Sequence, residues 1–423
     1  MLPATVPASY DQVIARTLSH GTTCASYFAT IHVPATNYLA SACYNRGQRA
    51  LIGRCCMDRQ STCPEDYRDS SAEASITATK ATISHIQALD PAGTLISPII
   101  TPRFAPSCTE QSLANLGTLA ASYTPPLHIQ THVSENKSEV SLVQDLFPAS
   151  KNYTDVYDTA GLLTPRTILA HGIYLSPSER DVIRTRQSKI SHCPASNCSL
   201  GSGLCPVRAL LDAGITVGLG TDVSGGFHPS VLEAVRQAYT VSRLLTHTTD
   251  RDDPHGPDGP TDGREVIGVE EGLSLATRGG AAVVDMADDI GGFDVGMFFD
   301  AQLIQLGQLR SASSSSSSSS SPSPVVYHHH PLDKDRASGP VSNVDIFGWE
   351  TWSEKVHKWA WNGDDRNVRM VWVMGQLVHD RDGLKKAVDH PVRRIVISLV
   401  VVFVLAFVGT LLSVSYWDMT SPN

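Results

Sequence analysis

The sequence predicts an α/β fold: a (β/α)8 TIM-type barrel with its first strand missing, part of a small β domain, and a C-terminal transmembrane helix. Three observations carry that expectation. Between about residues 20 and 222, short apolar β-rich runs alternate with helix-compatible stretches, the pattern of a parallel sheet covered on both faces. Arg103, His132, His171, His192 and Asp222 each stand at or just past the end of a different run, which is where barrel active sites are built. Residues 395–417 carry no charge and, at about 1.5 Å per residue, are long enough to cross a hydrocarbon core of about 30 Å.

The strand runs, in order, cover residues 22–28, 50–57, 95–100, 127–131, 167–170, 189–191 and 215–220, with helices expected at 71–89, 111–122, 135–147 and 207–213. A doubly wound open sheet competes with the barrel at this length. No GxGxxG or GxxxxGK[ST] follows any run, so the nucleotide-binding open sheets lose support. Seven strand units are one fewer than a closed barrel requires, and the expectation is that an eighth is missing or lies upstream.

Past the barrel, residues 250–263 read as a loop and 270–277 as a helix, while 291–306 and 370–379 read as strands. The expected organisation is a barrel over residues 1–285, small-β-domain parts at 286–310 and 341–380, a Ser-rich disordered insert at 311–340, and the membrane helix at 395–417. The unbroken serine run 313–321 has no apolar surface to bury. Adjacent His328, His329 and His330 cannot converge on one ion as strand-end histidines do. Lys385, Lys386, Arg393 and Arg394 precede the uncharged segment and Tyr416 and Trp417 end it, so the positive-inside rule places the globule in the cytosol, tail-anchored. Without that anchor the chain is expected to be cytosolic.

Composition narrows the function. The chain has 423 residues, with 33 Lys plus Arg against 42 Asp plus Glu, a formal charge of -9. No basic stripe is present to offset phosphate charge, which argues against nucleic-acid binding. The 9 Cys are odd in number and scattered without a CxxC, so neither a disulfide framework nor a cysteine metal site is expected, and Cys193, Cys198 and Cys205 read as buried thiols.

His132 at a strand end with Glu135 three residues later lets a metal ligand and a proton carrier share one small volume. His171 and Asp222, ending two further strands, strengthen the signal, because an ion held by imidazoles and a carboxylate lowers the pKa of its bound water toward neutrality. His192 and Asn197 read as residues bracing that site. The H-x-E and P-C-x-x-C signature of nucleobase-editing deaminases is absent.

The motifs HVSEN (132–136), LAHG (169–172), SHCPASN (191–197) and GLGTDVSGG (218–226) together resemble the amidohydrolase superfamily. Within it the chain is most similar to the guanine deaminase family, on ASYFATIH (25–32), TPRFAPSC (101–108), HIQTHVSENKSEV (128–140) and KNYTDVYD (151–158). The likeness runs over about residues 10–310 and resumes at 361–378. It implies hydrolysis of guanine to xanthine and ammonia on a zinc-bound water, one zinc per chain. It further implies that His132 and Asp222 ligate the metal with His171 as a possible third ligand, and that Asp222 is also the general base. Glu135 would shuttle a proton to the ring, His171 would steady the hydroxide, and Arg103 with Phe104 would contact the purine. His132, Glu135 and Asp222 also face the substrate in that scheme.

The family's His-x-His at the end of its first barrel strand has no counterpart in the 423 residues. The expectation is therefore an N-terminally truncated chain that binds zinc weakly and, as it stands, shows little or no deaminase activity. The expected partners are a purine, a membrane through the C-terminal helix and a second copy of the chain as a homodimer. Two other readings stay open: an amidohydrolase for another amino-heterocycle, and a metal-free membrane-tethered purine-binding protein.

Overall fold

Seven parallel strand positions follow one another around a single curved sheet, in the order the apolar runs predict. The computed structural model describes residues 5–247, 263–307 and 342–383. The strands are β1 (Cys24–Phe28), β2 (Arg49–Gly53), β3 (Cys55–Cys56), β4 (Ile96–Pro102), β5 (His128–Val133), β6 (Thr167–His171), β7 (Lys189–His192) and β8 (Val217–Leu219). Pairing runs β1-β2-β4-β5-β6-β7-β8, all parallel, with β3 also on β4. β2 and β3 are one run broken at Arg54, whose buried guanidinium turns aside to Asp69 and to the Ile31 carbonyl.

The curl of the sheet is visible in one side chain. Gln130 of β5 accepts from Ser26 Oγ (2.6 Å) and donates to Tyr27 O (2.9 Å), both on β1, which β2 and β4 separate from it along the sheet. Only a strongly curved sheet lets strands that far apart meet across its inner face. Among the described residues β1 and β8 are not paired with each other.

Helices α1 (Thr5–Ser19), α2 (Val33–Arg46), α3 (Ala72–Leu89), α4 (Glu110–Ala121), α5 (Lys137–Leu146), α6 (Tyr153–Thr159), α7 (Pro177–Thr185), α8 (Pro194–Ser199), α9 (Val207–Asp212) and α10 (Val231–Leu245) alternate with the strands. Side-chain caps set several starts: Ser71 for α3, Thr109 for α4, Asn136 for α5, Asn152 for α6 and a Ser176–Glu179 capping box for α7. The main core lies between β4–β8 and their helices, centred on residues such as Ile100, Leu116, Ile129, Tyr157, Leu169 and Ile190, and a second cluster joins α1 and α2 to β2.

Four expectations change. The helix expected from residue 135 starts at Lys137, because Asn136 accepts from the Glu139 amide and leaves Glu135 in the loop. The strand expected over 291–306 shrinks to β9 (Ala301–Ile304), since Gly291 and Gly296 both adopt positive φ in turns. The strand expected over 370–379 is a hairpin, β10 (Val368–Val373) and β11 (Gln376–Asp380), with Met374 (φ 52°) and Gly375 (φ 75°) as its two-residue turn. Cys193 and Cys205 are buried as expected, but Cys198, next to the last residue of the short α8, is exposed. β9, β10 and β11 form a three-stranded sheet with β10 in the middle.

Residues through Val378 make one compact unit, and those from His379 onward belong to a second, described only as far as 383. The serine-rich insert, His328–His330 and the 395–417 segment lie outside the described residues. Among the described residues no helix is long and apolar enough to cross a membrane.

Candidate active site

His132, the penultimate residue of β5, is held by the backbone of the neighbouring strand end. Its Nδ1 contacts the Arg103 carbonyl at 2.5 Å, and since a carbonyl only accepts, Nδ1 carries the hydrogen and Nε2 the lone pair. Burial and the neighbouring His171 push its pKa down to about 4, against the opposing pull of Asp222 and Glu135, so the ring is neutral at pH 7. The rings of His132 and His171 stack with centroids 5.3 Å apart, and Phe28, ending β1, lies 4.6 Å from the His132 ring.

His171 ends β6 with φ 72°, a left-handed conformation that β-strand residues avoid; Ser134 (φ 48°) and Asp222 (φ 45°) share it. Strained backbone at three strand ends around one spot marks a site whose side chains are aimed at some cost. His171 Nδ1 donates to Asn197 Oδ1 (2.8 Å), which points Nε2 at Glu135 Oε2, 3.7 Å away. Glu135 Oε1 accepts from Ser202 Oγ (2.8 Å), and its amide donates to Glu139 Oε2 (3.2 Å).

Asp222 follows β8 in a tight turn closed by a Gly226 N–H to Asp222 carbonyl bond of 2.6 Å. Gly226 is required there, because a Cβ would sit 2.1 Å from the Thr221 carbonyl oxygen. Arg103 and Phe104 follow β4; the guanidinium carbon lies 5.4 Å from the Phe104 centroid, and the Phe104 ring 6.4 Å from the His132 ring. His192 is fully buried, with no hydrogen-bond partner for either ring nitrogen among the described residues. Burial and His171 hold its pKa down at about 3, so the ring is neutral.

The structure thus brings His132, Glu135, His171 and Asp222 to the C-terminal end of the sheet, with Arg103 and Phe104 on the adjoining strand end. Sequence reasoning missed Ser202, Glu139 and Phe28, and assigned Tyr153 and Tyr157 no role although KNYTDVYD stood out. It found no signal in the GSG stretch that delivers Ser202.

The donor set for a zinc stops short. Among the described residues no group of three or more His, Cys, Asp or Glu side chains converges on a point that could hold an ion, and a zinc site takes three or four protein ligands. His132 and His171 stand as a pair with Asp222 in electrostatic reach, so these residues by themselves do not fit the ion.

A family model described as the amidohydrolase family matches residues 2–378. A probable guanine deaminase of Schizosaccharomyces pombe is 46% identical over 369 residues, covering 87% of this chain and 62% of that protein. The guanine deaminase of Homo sapiens is 38% identical over 373 residues, covering 87% of this chain and 71% of its own. A crystal structure of guanine deaminase from C. acetobutylicum with guanine bound in the active site superposes with a TM-score of 0.70 at 28% identity, covering 89% of this chain and 76% of that one. The chain spans 62% of the length of the S. pombe relative. On the match across nearly all of its described length, with the strand-end residues in place, the chain belongs to the amidohydrolase family.

Proposed function

We propose that this site carries out hydrolytic deamination of guanine to xanthine and ammonia. The observation that carries the reading is the Glu135 carboxylate, one oxygen fixed by Ser202 and the other facing His171, on the loop after β5 beside the strand end bearing Arg103 and Phe104. The reaction adds water across the amino-bearing ring carbon and breaks its bond to nitrogen. It needs a proton delivered to the adjacent ring nitrogen and another to the departing amine.

In this reading Glu135 carries the proton to the ring and Asp222 takes one from the attacking water. The Nε2 of His171 steadies that water, and neutral His132 lines the same volume. The Arg103 guanidinium donates to the purine carbonyl while the Phe104 face packs on the ring. The relatives named guanine deaminases support the substrate. None of these roles runs through a zinc.

The test incubates the full chain, with zinc in excess, with guanine, adenine, cytosine and melamine, reading ammonia and xanthine. Ammonia from guanine alone supports the proposal. Guanine binding without turnover would favour a purine-binding protein, and preference for another heterocycle would move the substrate.

The uncharged segment 395–417 and its basic flank support a further proposal, a C-terminal membrane anchor with the barrel in the cytosol. Carbonate-resistant membrane association of the full chain, lost on deletion after Asp389, is expected; a full chain released by carbonate would overturn it.

A further inference from the structure

The stretch KNYTDVYD has no part in the chemistry above, yet one of its residues is bonded to both sides of the site. Tyr157 lies on α6, fully buried. Its hydroxyl donates to the His132 carbonyl (2.8 Å) and accepts from the Ala105 amide (2.8 Å) and from Thr131 Oγ1 (3.1 Å). One oxygen therefore joins the end of β5, which bears His132, to the loop after β4, which bears Arg103 and Phe104.

A second tie runs nearby, because the Arg103 carbonyl accepts from both the amide and Nδ1 of His132. The backbone between Arg103 and Ala105 is thus pinned to His132 at both ends, and Phe104 projects from the pinned stretch. Tyr153, its ring 5.5 Å from that of Tyr157, donates its hydroxyl to Glu139 (2.6 Å), which holds the Glu135 amide.

We infer that Tyr157 is a positioning residue for purine recognition: its hydroxyl fixes Phe104 and Arg103 against His132 and so sets the opening into which the ring fits. This rests on the proposed guanine site. A phenol is suited to the task because it can donate once and accept twice from one atom. Phenylalanine keeps the ring packing and removes only the hydroxyl, leaving the Ala105 amide and the His132 carbonyl without that partner.

The test compares the full chain with Tyr157→Phe and Tyr153→Phe in the presence of excess zinc. It reads guanine affinity by calorimetry, amide exchange over residues 103–108 and the ring nitrogen resonances of His132. Tyr157→Phe is expected to melt cooperatively, to lose protection at Ala105, to shift the His132 ring signals and to bind guanine about tenfold more weakly. Tyr153→Phe, which removes the bond to Glu139 and leaves the Ala105 and His132 bonds to Tyr157 in place, is expected to keep the protection at Ala105. Unchanged guanine affinity in Tyr157→Phe, with exchange at Ala105 accelerated, would reduce Tyr157 to a core residue and overturn the inference. If the unsubstituted chain binds no guanine, the reading of the site falls and this inference falls with it as a statement about purines. The His132 signals then still decide the coupling: unchanged in Tyr157→Phe, they refute it as well. A Tyr157→Phe chain that does not fold is replaced by Thr131→Val, which removes one donor to the same oxygen and is expected to produce smaller shifts of the same kind.

Discussion

Ser202 Oγ donates to Glu135 Oε1 at 2.8 Å and thereby decides which carboxylate oxygen is left to face His171. The hydroxyl comes from a loop tied back by Tyr174, whose own hydroxyl donates to the Ser202 carbonyl at 2.7 Å. A proton carrier with one oxygen anchored can present the other in a fixed direction.

Ser202→Ala is expected to lower kcat for guanine by about tenfold with little change in KM, since the bond lost orients the carrier rather than holding the ring. Glu135→Gln, which cannot carry the proton, is expected to lower kcat by a factor of about 10² to 10⁴. Steady-state kinetics on both variants check the order; a Ser202→Ala enzyme altered only in KM contradicts it.

Gly226→Ala should disable the site from a distance. A methyl group there meets the Thr221 carbonyl, backbone that cannot move without carrying Asp222 with it. Guanine turnover is expected to fall by more than about tenfold while far-UV circular dichroism stays unchanged. Normal turnover would show that the turn relaxes without moving Asp222.

Arg49 and Asp300 form a buried pair at 3.2 Å, with side chains 3% and 2% exposed, and Asp300 also accepts from the Met374 amide in the β10–β11 turn. Removing one member leaves a buried charge unpaired, so Asp300→Ala is expected to cost about 3–5 kcal/mol. The pair replaced together by Met and Leu should lose much less. Denaturant melts on the three chains measure the difference.

His128 gives a pH signature away from the site. Its Nε2 faces Asp285 Oδ2 (3.0 Å) and its Nδ1 faces Arg166 Nη2 (2.9 Å), with Lys189 also bonded to Asp285. Arg166 can only donate, so Nδ1 holds the lone pair and the ring is neutral. Burial, with help from the Arg166 and Lys189 charges, holds its pKa below the ordinary value, against the raising effect of Asp285. The unfolded chain therefore takes up the proton first: this contribution is present above about pH 6.5 and is lost as pH falls below it toward the folded value. His128→Gln is expected to shrink the stability loss between about pH 7.5 and 5.5, read by urea melts. An unchanged slope contradicts the assignment.

The seven strand positions and the residues ending them were legible in the sequence because parallel strands covered on both faces leave continuous apolar runs. β5 stops at Val133, one residue past His132, and β6 stops at His171, so both histidines stand where the runs end. The hairpin at Met374–Gly375 was not legible, since an apolar run on both sides of a Met-Gly pair reads as one strand until the positive φ values are known. Nor was Ser202, which reaches Glu135 across 67 positions of sequence from a stretch with no periodicity. The left-handed backbone at Ser134, His171 and Asp222 is a property of the folded chain that no side-chain pattern announces.

Zinc removal is expected to change little. With only His132 and His171 paired and Asp222 nearby among the described residues, dialysis against a chelator should strip the ion while the melting temperature moves by less than about 2 °C, because binding that is weak contributes little to folding free energy. Metal analysis with melting curves checks this; one tightly held zinc per chain would contradict it.

The most direct measurement of the central claim is xanthine and ammonia production from guanine by the full chain with zinc in excess, set beside the Glu135→Gln variant. The account predicts conversion of guanine, none of adenine, cytosine or melamine, and loss of conversion in Glu135→Gln. Guanine neither bound nor converted, or conversion that survives Glu135→Gln unchanged, would contradict it.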